Sequence, residues 1–443
     1  MRISIMDTVL AGKQKTDISN NFVLTLFLTG IFMGALDHGI VGPALSSINE
    51  FFGISTSWGV WSFTIYTLFF SVSIPLMGKM SDRFGRKKIY MIGIALFGIG
   101  SLIASLSPNF FSFLLGRMIQ AIGTGGIYPI VGAFIATSYP DAKRTKMLGL
   151  IGVVFGLGTI LGPIIGGIII GTMEWQWIFL INIPISILVL FFMLPVKIHQ
   201  QIITKPIDFY GMIFLVIIIF TIMLGITLKN IWLLLIGIGL VGFFVKYERK
   251  TVDPVLNIEY FKKFNTLVVL VLSLLSGFIM ASTINLLPFF IETQFSLNKS
   301  YSALSVIPLA IASMVASLLG GYLGGKIGAK KVIAIGFSLT LVSAILITFS
   351  QQYEVLLLAI TVIGFGIGII IGSPLNVIMI QNVQQNETGS AIGYLSLARS
   401  MGSTMGPTIA GILIALSSNG YMYVNILIAF LSLLSVLIIL SKK

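Results

Sequence analysis

One acidic side chain lies deep inside an otherwise apolar stretch of this sequence. It is Asp37, in the segment 22–44, whereas the other acids fall near the ends of apolar stretches or between them. A carboxylate inside a bilayer costs at least about 2.5 kcal/mol, so it has to face a cavity or find a partner. We expect that partner to be Arg117, a base inside another apolar stretch.

Such a pair can carry out acid–base chemistry. Burial favours the neutral form of a carboxyl group, whereas a nearby cation favours the ionised form. A carboxyl group under both influences can gain and lose a proton as its surroundings change. We therefore predict that Asp37 exchanges protons and that Arg117 keeps it ionised until a proton or a substrate arrives. The alternative is a fixed structural ion pair.

A second group of charges occupies a short turn between two apolar stretches, GKMSDRFGRKK at 78–88. The two glycines allow a tight connection between helices. We expect the Asp82 carboxylate to lie near the start of the next helix, where negative charge is favoured. The bases can pair with it or with carbonyls at helix ends, or simply anchor the cytoplasmic side, as we expect for the final two lysines. The residues singled out are Gly78, Asp82, Arg83, Gly85 and Arg86.

The composition assigns the chain to the membrane. Of 443 residues, 56% are hydrophobic and 9% are charged, with a mean hydropathy of +1.04, whereas about a quarter of a soluble domain is charged. The chain has no cysteine and only two histidines, so disulfides and thiolate or histidine metal sites are not expected. We see no nucleophile–base set or phosphate-binding loop. We therefore predict no enzyme activity and no cofactor.

The long apolar stretches predict an all-α integral membrane protein with fourteen spans. Their approximate bounds are 22–44, 57–77, 88–107, 110–138, 147–170, 177–195, 208–227, 230–246, 265–290, 302–324, 330–350, 354–379, 388–416 and 421–440. If the N-terminus is cytoplasmic, Lys229 and Lys299 are the only Lys or Arg residues of the sequence that fall in outer loops. By the positive-inside rule we expect both termini in the cytoplasm. The net charge of +13 then reflects topology and not nucleic-acid binding.

Two sequence matches indicate an internal repeat. The turn at 78–88 matches GYLGGKIGAKK at 321–331, and LGPIIGG at 161–167 matches MGPTIAG at 405–411, at offsets of 243 and 244 residues. Nearly equal offsets predict two homologous six-helix halves around a central cavity. The predicted division is a cytoplasmic segment 1–21, halves at 22–195 and 264–440, a linker 196–263 with two extra spans at 208–246, and a C-terminus 441–443.

These motifs resemble those of the major facilitator superfamily. The turn at 78–88 resembles its loop between spans two and three, and LLGRMIQAIGTGG resembles its fourth-span motif, with Ala121 in place of a usual glycine. GLGTILGPIIGG at 156–167 resembles the fifth-span motif of antiporters. ALDHGIVGPALSSI and WQWIFLINIPI are similar to patterns of the fourteen-span drug:proton antiporter family, from which His38 and Gln176 depart.

The resemblance implies roles for two of the motifs. The charged turn would be a gating latch that favours the outward-facing state, and it would be one-sided because the second copy has Gly325 where Asp82 stands. The fifth-span motif would be a bendable seam between the halves that seals the cavity, with ordinary close packing as the alternative. Its residues are Gly158, Gly162, Pro163, Gly166 and Gly167.

Aromatic, polar and charged residues within the spans are the candidates for substrate contact. A cavity lined by aromatic side chains suits flat hydrophobic cations through cation–π contacts. The candidates are His38, as a modulating neighbour, Trp61, Tyr66, Gln120, Tyr128, Asn285, Phe289, Glu292 and Arg399. Arg399 is either a second charge in the cavity or a base that extends to the membrane surface, and both interpretations stay open. Glu292 is the next proton carrier if Asp37 is structural.

We predict a monomeric, proton-coupled antiporter in a bacterial plasma membrane. It would export hydrophobic cationic or zwitterionic drugs and dyes by alternating access and so contribute to antibiotic resistance. Its partners would be drugs, protons and the lipid bilayer, without nucleic acid. One alternative is an exporter of a single metabolite or lipid. Another is a membrane sensor or scaffold that does not transport, which the intact Asp37, Arg117 and Gly162-Pro163 argue against.

Overall fold

In this computed structural model the described residues are 20–198, 208–252, 254–255, 258, 262–350, 352–371, 373–382, 388–417 and 419–441. Most of the predicted segment 1–21, part of the linker and residues 442–443 therefore lie outside them. The N-terminal helices are α1 (Asn20–Phe52), α2 (Thr56–Gly59), α3 (Trp61–Phe84), α4 (Arg86–Ser105), α5 (Phe110–Gly125), α6 (Ile127–Ser138), α7 (Asp141–Thr172), α8 (Trp177–Leu180) and α9 (Asn182–Met193).

Two inserted helices and a C-terminal group follow. The inserted helices are α10 (Phe209–Thr227) and α11 (Ile231–Glu248). The C-terminal helices are α12 (Phe264–Phe295), α13 (Lys299–Leu304), α14 (Ile307–Ile327), α15 (Ala329–Phe349), α16 (Tyr353–Ile371), α17 (Ser373–Gln381), α18 (Thr388–Leu416) and α19 (Gly420–Leu440). Every regular element among the described residues is a helix.

Twelve helical segments of the described part are long and apolar enough to cross a membrane, judged by length and composition. Helices suit the apolar runs because they satisfy their backbone hydrogen bonds internally. Two predicted spans are not in this set. The span 177–195 coincides with the shorter apolar segment Trp177–Met193, and 388–416 coincides with α18. The all-helical membrane architecture is confirmed, whereas the count of fourteen spans stays a prediction.

Helix packing follows the same order in the N-terminal and C-terminal groups. In the first, α1 packs on α7, α3 packs on α5, and both α5 and α9 pack on α4. In the second, α12 packs on α18, α14 packs on α16, and both α16 and α19 pack on α15. Small residues allow such close approach in lipid. A Cβ atom at Gly406 of α18 would lie 2.7 Å from the Phe278 carbonyl oxygen of α12.

The two groups of helices meet at the end of the bundle where α1 and α12 finish, here called the distal face. Ser46 Oγ donates a hydrogen bond to Glu292 Oε2 over 2.9 Å. Lys299 Nζ lies 2.9 Å from Glu50 Oε2. These contacts hold α1 of the N-terminal group against the end of α12 and the loop that follows it.

A second contact between the groups joins α3 to α18. The hydroxyl oxygens of Thr64 and Thr408 lie 2.6 Å apart and are buried. Closer to the distal end, a Cβ atom at Gly411 would lie 2.8 Å from the Val60 side chain. Together with the contacts of α1, this packing closes the distal face. The opposite end, here called the basic face, carries the turn at 78–88.

The inserted helices lie at the side of the bundle. α10 contacts α3 and α18, and α11 packs on α10. The indole nitrogen of Trp61 donates a hydrogen bond to Thr227 Oγ1 over 3.0 Å. An apolar cavity of about 440 Å³ lies between α10, α11, α12 and α18, and residues such as Phe244, Leu270 and Tyr394 line it. Its described lining includes no residue of α1, α5 or α7.

Candidate functional site

Asp37 and Arg117 form a buried ion pair. Arg117 Nη1 lies 2.6 Å from Asp37 Oδ2. The Arg117 side chain is 1% exposed and the Asp37 side chain is 0% exposed. The pair joins α5 to α1. Glycine lets α5 lie close to α4, since a Cβ atom at Gly116 would be 2.6 Å from the backbone nitrogen of Ala104. The structure thus brings together the two residues that the sequence analysis expected to meet.

Three further groups complete the hydrogen bonds of this pair. Arg117 Nη1 also donates to Gln120 Oε1 over 2.7 Å, and Arg117 Nε donates to the Ser62 carbonyl over 3.2 Å. Gln120 Nε2 donates to Ser101 Oγ over 2.6 Å and makes a longer contact of 3.4 Å with Asp37 Oδ1. A fully bonded polar network of this kind fixes its members in a low-dielectric interior. Gln120, expected at the substrate, belongs to this network.

Aromatic rings cover one side of the ion pair. The Arg117 guanidinium carbon lies 4.3 Å from the Tyr66 ring centre, within the range of a cation–π contact. Tyr66 stacks on Phe70, and the edge of His38 meets both rings at 5.5 and 6.2 Å. The Tyr66 and Thr124 hydroxyls lie 2.9 Å apart. We call His38, Tyr66 and Phe70 the aromatic group.

Other predicted substrate residues lie elsewhere. Trp61 contacts the inserted helix α10, Tyr128 packs on Phe155 at 5.7 Å, and Phe289 packs on Tyr421 at 6.2 Å. Asn285 lies where α12 meets α1, and its carbonyl oxygen would be 3.2 Å from a Cβ atom at Gly42. Glu292 forms part of the distal face through its bond with Ser46.

Five members of the site escaped the sequence analysis. They are Ser62, Phe70, Ser101, Thr124 and Phe179. Helical spacing offers a signal for some of them. Thr124 is one turn after Gln120, and Phe70 is one turn after Tyr66, and residues four apart share a helix face.

The glycines of the fifth-span motif pack α7 mainly on α1. A Cβ atom at Gly158 would lie 2.7 Å from Ala35 Cβ, and one at Gly162 would lie 2.8 Å from Gly39 Cα. Gly166 faces Ile40 of the same helix. These three glycines therefore pack within the N-terminal group, against the helix that carries Asp37, whereas the sequence analysis expected the motif to form a seam between the halves. Pro163 is at the same contact between α7 and α1, with its Cδ 2.9 Å from a Cβ atom built at Gly39.

Two glycines of that motif reach the C-terminal group. A Cβ atom at Gly156 would lie 3.7 Å from Met314 Cγ of α14. A Cβ atom at Gly167 would lie 2.7 Å from Ala303 Cβ of α13. One turn further on, Gly171 faces Ser300 at 3.0 Å by the same measure. The distal end of α7 thus contacts both groups of helices.

The charged turn differs in detail from its prediction. Asp82 lies in the last turn of α3 and not at the start of α4, which begins at Arg86. Gly85 between the helices has a φ of 104°, a conformation that favours glycine. Arg86 Nη1 donates to Thr137 Oγ1 over 2.6 Å. Lys87, expected only to anchor the membrane surface, donates to the Leu194 carbonyl over 2.7 Å and so caps the end of α9.

Two other residues of the turn, Arg83 and Gly78, make looser contacts. Arg83 is exposed, and its guanidinium carbon lies 5.4 Å from the Phe84 ring. Gly78 faces Pro129 of α6 at 3.5 Å, measured from an added Cβ atom. The contacts of Gly78, Arg86 and Lys87 described above are to helices of the N-terminal group.

Arg399 is the second base inside a predicted span. It lies on α18, where its backbone closely approaches Gly277 of α12. Its side chain is half-buried. Nε and Nη2 are buried and have no hydrogen-bond partner within the described part of the chain. No cluster of His, Cys, Asp and Glu in the described part of the chain could hold a metal ion.

Comparison with known sequences finds transporters. The chain is 35% identical over 415 residues to the uncharacterized MFS-type transporter YfiU of Bacillus subtilis (strain 168), which covers 88% of this chain and 79% of YfiU. Multidrug resistance protein 3 of the same organism is 29% identical, over 92% of this chain and 81% of its own. The riboflavin transporter RibZ of Clostridioides difficile (strain 630) is 27% identical, over 87% of this chain and 86% of RibZ.

Fold and family comparisons agree with these relatives. A bacterial homolog of the human lysosomal transporter Spinster, solved in an inward-facing and occupied conformation, superposes with a TM-score of 0.71 at 14% identity, covering 95% of this chain and 96% of that one. Its likeness concerns the fold. The model of the Major Facilitator Superfamily matches residues 27–208 and 266–443. These matches are to transporters and not to enzymes, and the chain belongs to the Major Facilitator Superfamily.

Proposed function

We propose that the protein is a proton-coupled antiporter that exports hydrophobic cationic or zwitterionic drugs by alternating access. The observation that carries the proposal is the Asp37–Arg117 ion pair, buried in the N-terminal group and covered by the aromatic group. Ionisable side chains inside a membrane mark ion or substrate paths, because their burial is costly. The relative named Multidrug resistance protein 3 supports drugs as the substrate class.

The ion pair supplies the chemistry that proton coupling needs. When Asp37 is ionised, it holds Arg117 at 2.6 Å. When it takes up a proton, the charge–charge attraction is lost and the guanidinium is held by Gln120 and the Ser62 carbonyl alone. A cationic substrate near the aromatic group competes for the same carboxylate. Proton and drug thus bind Asp37 in exchange, which is the requirement for antiport.

The position of Asp37 links this exchange to the shape of the bundle. Asp37 lies on α1, and Ser46 of the same helix bonds to Glu292 at the closed distal face. A shift of α1 against α5 would therefore strain the contacts that close this face. In the orientation predicted from the basic residues, the distal face is extracellular. The described conformation would then be inward-facing, and the charged turn would lock the opposite state.

Uphill transport tests the proposal. Inside-out membrane vesicles with an acidic interior should accumulate ethidium and norfloxacin against their gradients, and a protonophore should stop this. Asp37→Asn should abolish the accumulation. Glu354→Gln is the matched control, because it also removes one carboxylate, at an exposed position. Accumulation by the Asn variant at the wild-type rate, or none by the wild type, would refute the proposal.

A single metabolite is the second candidate substrate. The observation in its favour is the relative named as the riboflavin transporter RibZ. The same vesicles distinguish the two candidates. Accumulation of riboflavin without ethidium or norfloxacin would indicate a metabolite exporter, whereas gradient-driven accumulation of the two drugs supports the first candidate. A chain that moves none of the three would favour a sensor or scaffold.

A further inference from the structure

Arg399, unlike Arg117, faces no anion among the residues that the structure describes. Arg117 has Asp37 as counter-ion and two further hydrogen-bond acceptors. Among the described residues, no ion pair involves Arg399, and its buried Nε and Nη2 donate to nothing. A buried cation without a partner is destabilising. A base of this kind inside a span is therefore expected to serve a ligand.

The unpaired atoms of Arg399 form one edge of its guanidinium. Nε–H and one N–H of Nη2 point the same way, as two parallel donors. This fork matches the two oxygens of a carboxylate, which an arginine binds through paired charge-assisted hydrogen bonds. In the described conformation the edge is covered, so the half-buried side chain has to turn to meet a ligand.

Arg399 lies on the basic-face side of the contact between α3 and α18. Thr408 of the same helix bonds to Thr64 where the groups meet. Arg399 precedes it by nine residues, or about 14 Å along the helix at 1.5 Å per residue, in the direction of the basic face. A molecule that enters from the basic face thus reaches Arg399 before the closed contact.

The internal repeat shows what lies at the equivalent position of the other group. The offset of 244 residues between Gly162-Pro163 and Gly406-Pro407 relates Arg399 to Phe155 of α7. Phe155 is half-buried and packs edge-on against Tyr128 at 5.7 Å. One group of helices therefore offers an aromatic surface and the other a cation at matching positions. This asymmetry suits a flat molecule that also carries an anionic group.

We propose that Arg399 binds the carboxylate of zwitterionic substrates and so sets the preference of the transporter for them over simple cations. This inference rests on the proposed function, since it assigns a substrate class to the same transporter. Asp37 would receive the cationic part of the substrate or a proton, and Arg399 would receive the anionic part.

A matched pair of ligands tests the inference on the protein itself. Norfloxacin and its ethyl ester share the ring system and the amine but differ in the carboxylate. Binding is measured by ligand fluorescence with the purified full chain in detergent free of phospholipid. The wild type should bind the acid more tightly than the ester by about tenfold or more, the effect of a hydrogen bond to a charged group. Equal affinities for the acid and the ester would overturn the proposal.

Three variants complete the test. Arg399→Gln should bind acid and ester equally, and a thermal-unfolding transition like that of the wild type would show that it folds. Arg399→Lys should keep part of the preference because it keeps the charge. Lys326→Gln, which removes an exposed base of the C-terminal group, should keep all of it. An undiminished preference in Arg399→Gln would overturn the proposal. If Arg399→Gln does not fold, Arg399→Lys decides the test. If this lysine variant keeps the full preference for the acid and loses that preference when phosphatidylglycerol is added, the anion bound at this site is a lipid. That result would also overturn the proposal.

The inference and the proposed function can fail separately. If the wild type prefers the acid but accumulates no drug in vesicles, the proposed transport fails and the Arg399 site stands. If the wild type exports ethidium and norfloxacin but binds acid and ester alike, the transport stands and the Arg399 site fails.

Discussion

Arg117 Nη1 lies 2.6 Å from Asp37 Oδ2, and neither side chain reaches solvent. The bond ties α5 to α1, the helix that also closes the distal face through Ser46. Asp37 and Ser46 are nine residues apart on one helix, and we propose that a displacement of α1 at the ion pair also moves the distal contact. A charge change at one carboxylate can thereby act on the access of the whole bundle.

The first prediction concerns proton release. Adding ethidium to weakly buffered, purified protein should release protons, because substrate and proton compete for Asp37. Asp37→Asn keeps the size and hydrogen-bonding reach of the side chain but cannot titrate, so it should release none while still binding dye. Asp37→Glu, which keeps the carboxyl group, should retain part of the release. A normal release by the Asn variant would move the carrier elsewhere, with Glu292 as the next candidate.

The second prediction concerns the cost of breaking the ion pair. Arg117→Ala leaves a buried carboxylate without its counter-ion, a change of about 3–5 kcal/mol. The melting temperature of the variant should fall accordingly. Asp37→Asn combined with Arg117→Ala should recover much of the loss. No recovery in the double variant would show that Arg117 acts mainly through its packing on Tyr66.

The pairing of Asp37 with Arg117 could be predicted from the sequence for a simple reason. Very few charges occur inside the spans, and two that oppose each other have to meet or be neutralised. Trp61 and Tyr66 show where such reasoning ends. They lie five residues apart on α3, yet Trp61 faces the inserted helix α10 and Tyr66 faces Arg117. Apolar runs do not specify which side of a helix faces a neighbour, because lipid and helix contacts accept the same residues.

The bounds of the helices posed a related difficulty. The spans were located because apolar runs are long, but Asp82 was placed at the start of a helix and lies at the end of one. Polar residues extend helices beyond the membrane without an apolar signal, so the junction depended on Gly85 alone. Gly158 and Gly162 likewise pack on α1 although the motif was expected between the halves, since spacing identifies a packing face but not the helix packed on it.

The third prediction concerns the charged turn. Asp82→Asn should slow turnover several-fold while the protein still inserts, folds and binds substrate, because the latch is proposed to act on the exchange between states. Transport rate and ethidium affinity should be measured on the same preparation. The matched control is Lys88→Gln, which removes a charge from an exposed side chain of the same turn that is expected only to anchor the cytoplasmic side. A rate equal to that of the wild type in Asp82→Asn would remove the latch from the mechanism.

The fourth prediction concerns the glycine seam behind Asp37. Gly162→Val should destabilise the protein by about 1–3 kcal/mol, the usual cost of overpacking, because its Cβ would lie 2.8 Å from Gly39 Cα. The separation of α1 from α7 should also lower the transport rate. Gly239→Ala is the control, since a Cβ atom there meets nothing within 4 Å. Thermal unfolding and vesicle uptake should be measured on the same preparations. A melting temperature and an uptake rate equal to those of the wild type in Gly162→Val would show that the seam tolerates a side chain.

The last prediction concerns the closed distal face. The hydroxyl oxygens of Thr64 and Thr408 lie 2.6 Å apart across the two groups of helices, a separation that two cysteine sulfurs can bridge with little backbone movement. The chain has no cysteine of its own, so any disulfide comes from the introduced pair. Oxidation of Thr64→Cys/Thr408→Cys should stop most of the ethidium accumulation, because the face can no longer open, and reduction should restore it.

A second pair of hydroxyl groups provides the control for this experiment. Thr340 and Ser432 lie 3.0 Å apart within the C-terminal group, so the disulfide of Thr340→Cys/Ser432→Cys leaves the two groups free to move against each other. Its oxidation should leave accumulation unchanged, as should oxidation of either single variant of the first pair. If the Thr64–Thr408 cross-link forms completely, as judged by mass spectrometry after proteolysis, and accumulation continues at the wild-type rate, the distal face does not open during transport and alternating access through it is excluded.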